Sequence, residues 1–354
     1  MVTMKGSQLY RKIYGCLAGG AVGDALGKPF EGMHYKDVEK KYGKVTGFID
    51  GVHTGDVTDD TRMEHLLIKA TIAKKGRVTA DDLADVWLKA PLNPEDFWLD
   101  TRAAFIKIRQ GVPPRLAWEG NVVTGSGLMF MSPVGILNAG NPVQAVLDAR
   151  EIASIQQPPL GADCAGVVAA AVAEAMKADA TVDSVVKSVL IVSEKMSLYP
   201  EYGVRFRTET VGEAVEKAVS VARGYGDVFE VREALYNECL GYHAIDPVEV
   251  LALTFAMILV SNGDVEKALI GGANLGRDSD TISRLCGSIC GALAGIEAVP
   301  RGLVERVEKA CITEGKATPY MDKPLSMVAE ELTDAVEAHV AQLESYINTF
   351  KKLL

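Results

Sequence analysis

The sequence predicts an all-α fold. Apolar residues recur at three- and four-residue steps through most of the chain. No run of six residues alternates apolar and polar with β-branched enrichment. Gly and Pro fall between the periodic stretches, as punctuation. Of the 354 residues, 48% are hydrophobic and 24% charged, the balance of an ordinary globular protein, which excludes a disordered chain. With 37 Lys and Arg against 47 Asp and Glu, the net charge is −10. An acidic chain without a basic cluster is a poor grip for a nucleic-acid backbone or an anionic membrane.

Taken in order, the first expected helix carries Gly15, Gly19 and Gly23 at four-residue steps and is stopped by Gly27 and Pro29. Glycine in a helix interior costs roughly 1 kcal/mol against Ala. A row of glycines on one face therefore predicts close approach by another helix. Asp24 sits at the end of this apolar segment without a local reason, and Glu31 lies on the loop that follows.

Thr58-Asp59-Asp60-Thr61 comes next, ahead of Met63, Leu66, Leu67 and Ala70. Thr61 with Glu64 fits a capping box, so a helix is expected to begin at Thr61, with Thr58, Asp59 and Asp60 at its positive end. A plain helix cap would explain this quartet alone.

Residues 90–102 and 110–142 read as loops, but neither has the polar composition of a linker. The charge-free run Asn121 to Leu147 is broken by Gly125, Gly127, Pro133, Gly135, Gly140 and Pro142. It reads as a buried, loop-rich segment, since a membrane helix would not be interrupted so often. Helices are then expected over 163–178, 181–196, 211–222, 249–260, 264–272, 281–296 and 303–312, with a last periodic stretch over 324–350. That stretch repeats apolar residues at Leu332, Val336, Val340, Leu343 and Ile347.

Asp278-Ser279-Asp280-Thr281 repeats the carboxylate-hydroxyl theme before the helix that carries a second glycine ladder, Gly287, Gly291 and Gly295. The two ladder helices are expected at the centre of the fold and against each other. Converging, the two acidic motifs would repel strongly unless a cation neutralised them. All-oxygen ligands favour Mg²⁺, Mn²⁺ or Ca²⁺ over zinc. The five histidines, His34, His53, His65, His243 and His339, have no zinc-like spacing and read as packing or surface residues. The six scattered cysteines form no CxxC pair and read as buried, reduced thiols. The charged N-terminus lacks a signal-length apolar core, so a cytoplasmic location is expected.

Together, GCLAGGAVGDALGKPFE (15–31), TDDT (58–61), TGSGLMFMSPVG (124–135) and GANLGRDSDTISRLCGSICGALAG (272–295) resemble the ADP-ribosylglycohydrolase family over roughly residues 10–300. The resemblance implies a large orthogonal helical bundle that holds two divalent cations, Mg²⁺ or Mn²⁺. Thr58, Asp59, Asp60, Asp278, Asp280 and Thr281 become the implied ligands. Glu31 matches a glutamate on a mobile loop over the metal site. Gly125, Ser126 and Gly127 match a glycine-rich loop that lies against the phosphates of ADP-ribose, where backbone N–H groups suit an anion.

The sequence departs from the family at three places. Phe130 stands where an Arg is usual, Gln156-Gln157-Pro158-Pro159 occurs where many members have a His, and Arg277 precedes Asp278 where Gly is usual. The implied reaction is metal-dependent hydrolysis of a ribosyl glycosidic bond, with Glu31, Asp59, Asp60 and Asp280 as candidate catalytic carboxylates. The implied substrate is an ADP-ribosylated protein or small molecule. A nucleoside or other small riboside is the alternative that the altered phosphate loop favours. A non-catalytic, crystallin-like protein is a third. Length alone suggests two or three domains of roughly 150 residues. Motifs at 58 and 278 that must share one site instead predict a single domain over 1–354.

Overall fold

The computed structural model describes residues 6–194, 196, 209–241, 243–313 and 321–354. Among them are sixteen α-helices and no β-strand. In chain order they are α1 (Gln8–Gly27), α2 (Tyr35–Tyr42), α3 (Asp59–Lys74), α4 (Ala80–Lys89), α5 (Leu99–Arg109), α6 (Ser132–Leu137), α7 (Pro142–Ala153) and α8 (Pro159–Ala175). There follow α9 (Val182–Ser193), α10 (Val211–Ala222), α11 (Arg232–Glu238), α12 (Pro247–Val260), α13 (Val265–Ala273), α14 (Ser279–Ala294), α15 (Arg301–Glu308) and α16 (Leu325–Lys351). No described helix is long and apolar enough to cross a membrane.

Local chemistry starts many of these helices. Capping boxes open α4 (Thr79 with Asp82), α9 (Thr181 with Ser184) and α10 (Thr210 with Glu213). Proline at the first turn opens α6, α7, α8 and α12, where its missing N–H leaves nothing unpaired. The segments expected as loops carry more order than their composition suggests. Helix α5 begins at Leu99, inside the 90–102 segment, and a turn of 3₁₀ helix spans Gly125–Gly127 ahead of α6. The end of the segment expected over 181–196 includes residue 195, which lies outside the described residues.

The centre of the molecule is the pairing of α1 with α14. The two helices run antiparallel, with Gly15 against Gly291, Gly19 against Gly287, Gly23 against Ser283 and Gly27 against Ser279. At each contact a Cβ on the α1 glycine would fall on backbone atoms of α14. The expected contact between the ladders is therefore present, with one refinement. Gly295 is the C-cap of α14, at φ 85°, a left-handed conformation that glycine adopts without strain. Lys12 locks the far end. Its buried ammonium donates to Ala175 O (2.9 Å), Ala292 O (2.8 Å) and Leu293 O (3.0 Å), the carbonyl-rich C-terminal turns of α8 and α14. Burial lowers its pKa.

Around this pair, buried apolar side chains from Tyr10 to Val336 form one contiguous cluster. All six cysteines are buried within the fold and none is in a disulfide. The other end of the α1–α14 seam, at Gly27 and Ser279, brings the Glu31 loop beside the start of α14.

Candidate metal centre

Helix α3 starts three residues earlier than the sequence suggests. Thr58, not Thr61, is the N-cap, and its Oγ1 accepts from Asp60 N at 3.2 Å. The expected capping box at Thr61 is absent because its members have tertiary partners. Thr61 Oγ1 donates to Asp24 Oδ2, and Glu64 pairs with Arg284 at 2.7 Å. Asp24 is the reason for this start. Wholly buried at the end of α1, it accepts from Thr58 N (2.9 Å) and Thr61 N (3.1 Å), two N–H groups of the α3 terminus.

Beneath lies a polar tie that no local pattern announces. Arg284, fully buried on α14, donates to Thr61 Oγ1 (2.8 Å) and Met129 O (2.7 Å) as well as pairing with Glu64. One guanidinium thus fixes α3, α14 and the segment after the glycine-rich turn relative to one another. Both partners are out of water, so removing either would leave an uncompensated buried charge, which costs about 3–5 kcal/mol.

On this frame the two acidic motifs face one cleft of about 100 Å³. Thr58, Asp59 and Asp60 reach it from α3, and Asp278, Asp280 and Thr281 from the start of α14. Glu31 reaches it from the loop after α1, and Gly125 and Ser126 from the glycine-rich turn. Oxygens of Glu31, Asp278 and Asp280 lie within 4.8 Å of one another. Asp278 occupies the N-cap position of α14, yet its side chain makes no cap hydrogen bond. Asp60 Oδ2 and Asp280 Oδ1 are buried and have no hydrogen-bond partner.

This crowding shows in proton affinity. Burial, then the Asp24 and Asp59 charges, pushes Asp60 well above the usual carboxylate range. Burial, then Asp60 and Asp278, does the same to Asp280. Burial and Glu31 push Asp278 up to about 7. Asp59 is raised by burial despite a 2.9 Å bond from Trp98 N. Glu31 stands at the exposed edge, and desolvation followed by Asp59 and Asp24 raises it as well. Orphaned buried carboxylate oxygens in an all-oxygen set are suited to a hard divalent cation, which would relieve the repulsion.

The Glu31 loop is tied to the second motif. Gly32 N donates to Arg277 O (2.7 Å) and Arg277 N to Met33 O (2.9 Å), closing a bridge between His34 and Gly276. Arg277 itself takes a left-handed φ of 60°. Its side chain turns to Glu249, 2.7 Å away and fully buried, and is not part of the cleft lining.

The glycine-rich turn is held from below by Asp100, a buried carboxylate that sequence reasoning passed over. It accepts from Thr124 Oγ1, Ser126 Oγ (2.6 Å) and Gln157 Nε2. Its partners lie 24 to 57 residues away in the chain, so no spacing rule could have found it. Gly125 N is bonded to Ile245 O (2.8 Å) and Ser126 N to Thr124 Oγ1 (3.3 Å). Gly127 packs on the Gln157 side chain and is not part of the cleft lining. Phe130 is wholly buried.

Residues 5–342 match the family model described as ADP-ribosylglycohydrolase. The chain is 27% identical over 313 residues to YegU, an uncharacterized protein of Escherichia coli, a match covering 82% of this chain and 90% of that one. An uncharacterized protein of Archaeoglobus fulgidus is 26% identical over 325 residues, covering 90% and 98%. The ADP-ribosyl-dinitrogen reductase glycohydrolase of Rhodospirillum rubrum is 29% identical over 149 residues, 39% of this chain and 49% of that one. A solved structure titled ADP-ribosylglycohydrolase-related protein complex shares the fold, with a TM-score of 0.66 and 20% identity, covering 93% of this chain and 99% of that one.

Proposed function

The chain belongs to the ADP-ribosylglycohydrolase family, and from that premise we propose that it is a divalent-cation-dependent hydrolase that cleaves a ribosyl glycosidic bond. The observation that carries this reading is the single cleft between the starts of α3 and α14, with partnerless buried oxygens on Asp60 and Asp280. Thr58, Asp59 and Asp60 from one side, and Asp278, Asp280 and Thr281 from the other, would hold two Mg²⁺ or Mn²⁺ ions. Bound, such ions supply Lewis-acid stabilisation and lower the pKa of water at the reacting centre.

The chain's own residues supply the rest. Asp280, whose carboxylate is crowded by Asp60 and Asp278, would be one of the ligands and would be relieved of that repulsion by a cation. Glu31, at the edge of the cleft, is placed to exchange a proton with water or with the leaving group. Positive charge develops on the sugar ring as the glycosidic bond breaks. The carboxylate-lined wall suits that charge. Trp98, which lines the same cleft and is 44% exposed, offers an aromatic face to the group attached to the ribose. Contribution of both motifs to one cleft also supports a single domain over 1–354.

The leading substrate is an ADP-ribosylated protein or small molecule. A second reading, hydrolysis of a nucleoside or other small riboside, is favoured by specific contacts. The N–H groups of Gly125 and Ser126 are already bonded within the protein, Phe130 is buried, and Arg277 is bound to Glu249. The test is turnover of ADP-ribosyl-arginine and of simple nucleosides with Mg²⁺ or Mn²⁺, before and after EDTA. Release of ribose or ADP-ribose that stops with EDTA supports the proposal. Unchanged turnover in EDTA contradicts it.

A further inference from the structure

Beyond the cleft, the far half of α16 presents an exposed apolar face among the described residues. Its first half packs on the body through Leu325, Val328, Leu332 and Val336, all buried. Gln342 makes a side-chain bond to Lys75 O at 3.1 Å, at the place where the helix leaves the body. Every residue from 340 to 354 is exposed.

This projecting segment is not polar. Val340, Leu343, Ile347 and Phe350 follow one another at steps of three and four, the seam of a coiled coil. Ile347 is 52% and Phe350 67% exposed, and Tyr346 (66%) widens the same face. The opposite face carries Ser345, Asn348, Thr349 and Lys352. A lone amphipathic helix of this length is marginal in water. The seam also continues beyond residue 342, where the match to the family ends.

The flanking charges say what covers it. The residue after each second seam position is Glu337, Glu344 and then Lys351, acidic near the body and basic at the far end. A mixed-sign flank does not suit an anionic membrane, which prefers a basic polar face. It is complementary to itself only when reversed. In an antiparallel pair, Val340 of one copy packs on Phe350 of the other and Leu343 on Ile347. Glu337 faces Lys351 at each end of the pair, two opposite-sign matches against the one like-charge contact of Glu344 with its own copy at the centre. In a parallel pair the same flank offers no such match. We propose that the projecting half of α16 is a homodimerisation helix that pairs antiparallel with the same segment of a second copy of this chain. The seam is short, at the low end of specific interfaces, so the dimer dissociates on dilution. Exposed ion pairs add little energy and serve to set direction.

The test is sedimentation velocity of the full chain over a roughly hundredfold range of concentration, where mass action shifts the equilibrium. Wild type is expected to pass reversibly from monomer to dimer. Leu343→Glu with Ile347→Glu is expected to stay monomeric with its thermal midpoint and turnover little changed, because Leu343 is 43% and Ile347 52% exposed. Lys351→Glu weakens the dimer, and Glu337→Lys with Lys351→Glu restores it. Glu344→Cys, whose two copies face each other only in the antiparallel pair, is cross-linked by a short bis-maleimide. The six native cysteines are buried and stay silent. A wild type that is monomeric throughout overturns the proposal. So does a dimer that survives Leu343→Glu with Ile347→Glu, or a monomer that instead binds vesicles of anionic lipid through this segment.

Discussion

The α1–α14 seam and the carboxylate cleft share the same two helices and follow opposite rules. Along the seam, side chains are deleted until backbone meets backbone, and Lys12 and Ser279 satisfy carbonyls at its two ends. At the cleft, a few residues further along, buried carboxylates crowd together and Asp60 and Asp280 keep oxygens with no partner. One region is built for stability and the other gives stability up. The contrast teaches that the rigid pair supplies the constraint which holds the repelling groups in place, the usual relation between a scaffold and a strained functional site.

Substitutions on the two sides should therefore separate activity from stability. The largest effect is expected at the cleft. Asp280→Asn removes a charge that Asp60 and Asp278 oppose, so turnover should fall by about 10³-fold, while the thermal midpoint of the metal-free protein holds or rises. Steady-state kinetics beside a thermal melt in EDTA reads both. A midpoint that drops sharply would mean that the cleft, too, is built for stability. Arg284→Met sits on the border of the two regions. It leaves Glu64 buried and unpaired and should cost about 3–5 kcal/mol in urea unfolding.

Gly19→Ala attacks the seam alone. A Cβ there meets the Gly287 backbone, which cannot give way as a flexible side chain can, so a loss of about 1–3 kcal/mol is expected in the same measurement. Turnover per folded molecule should survive, since the clash is remote from the carboxylates. Lys12→Met is the mildest. It withdraws the donor from three carbonyls at helix ends but keeps an apolar stem, and about 1–2 kcal/mol should be lost. If Gly19→Ala or Lys12→Met abolished turnover in fully folded protein, the division between scaffold and site would fail.

What the sequence made legible was what repeats or clusters locally. The four-residue glycine steps announced a close helix pair, and two acidic motifs at helix starts announced a shared cleft. What stayed hidden depends on partners far away in the chain. Thr61 and Glu64 read as a capping box because the pattern is local. In the fold, Asp24 and Arg284 offer stronger, desolvated partners and the helix begins at Thr58 instead. Asp24 itself looked unexplained for the same reason. Asp100 fell in a stretch that reads as a loop, and only the fold brings Thr124, Ser126 and Gln157 onto it. Gln157, noted as a departure from the family, proves to be the residue that fills the space left by Gly127 and Gly161 and holds Asp100.

The proposed function stands or falls on divalent cations held by the partnerless oxygens of Asp60 and Asp280. The most direct test is calorimetric titration of Mn²⁺ into EDTA-stripped protein, with Asp60→Ala and Asp280→Ala as controls. Two bound ions are expected in the wild type, with their loss in both variants and riboside hydrolysis that returns only as the ions bind. Absence of Mn²⁺ and Mg²⁺ binding in the wild type, or full hydrolysis by the stripped protein, would contradict it.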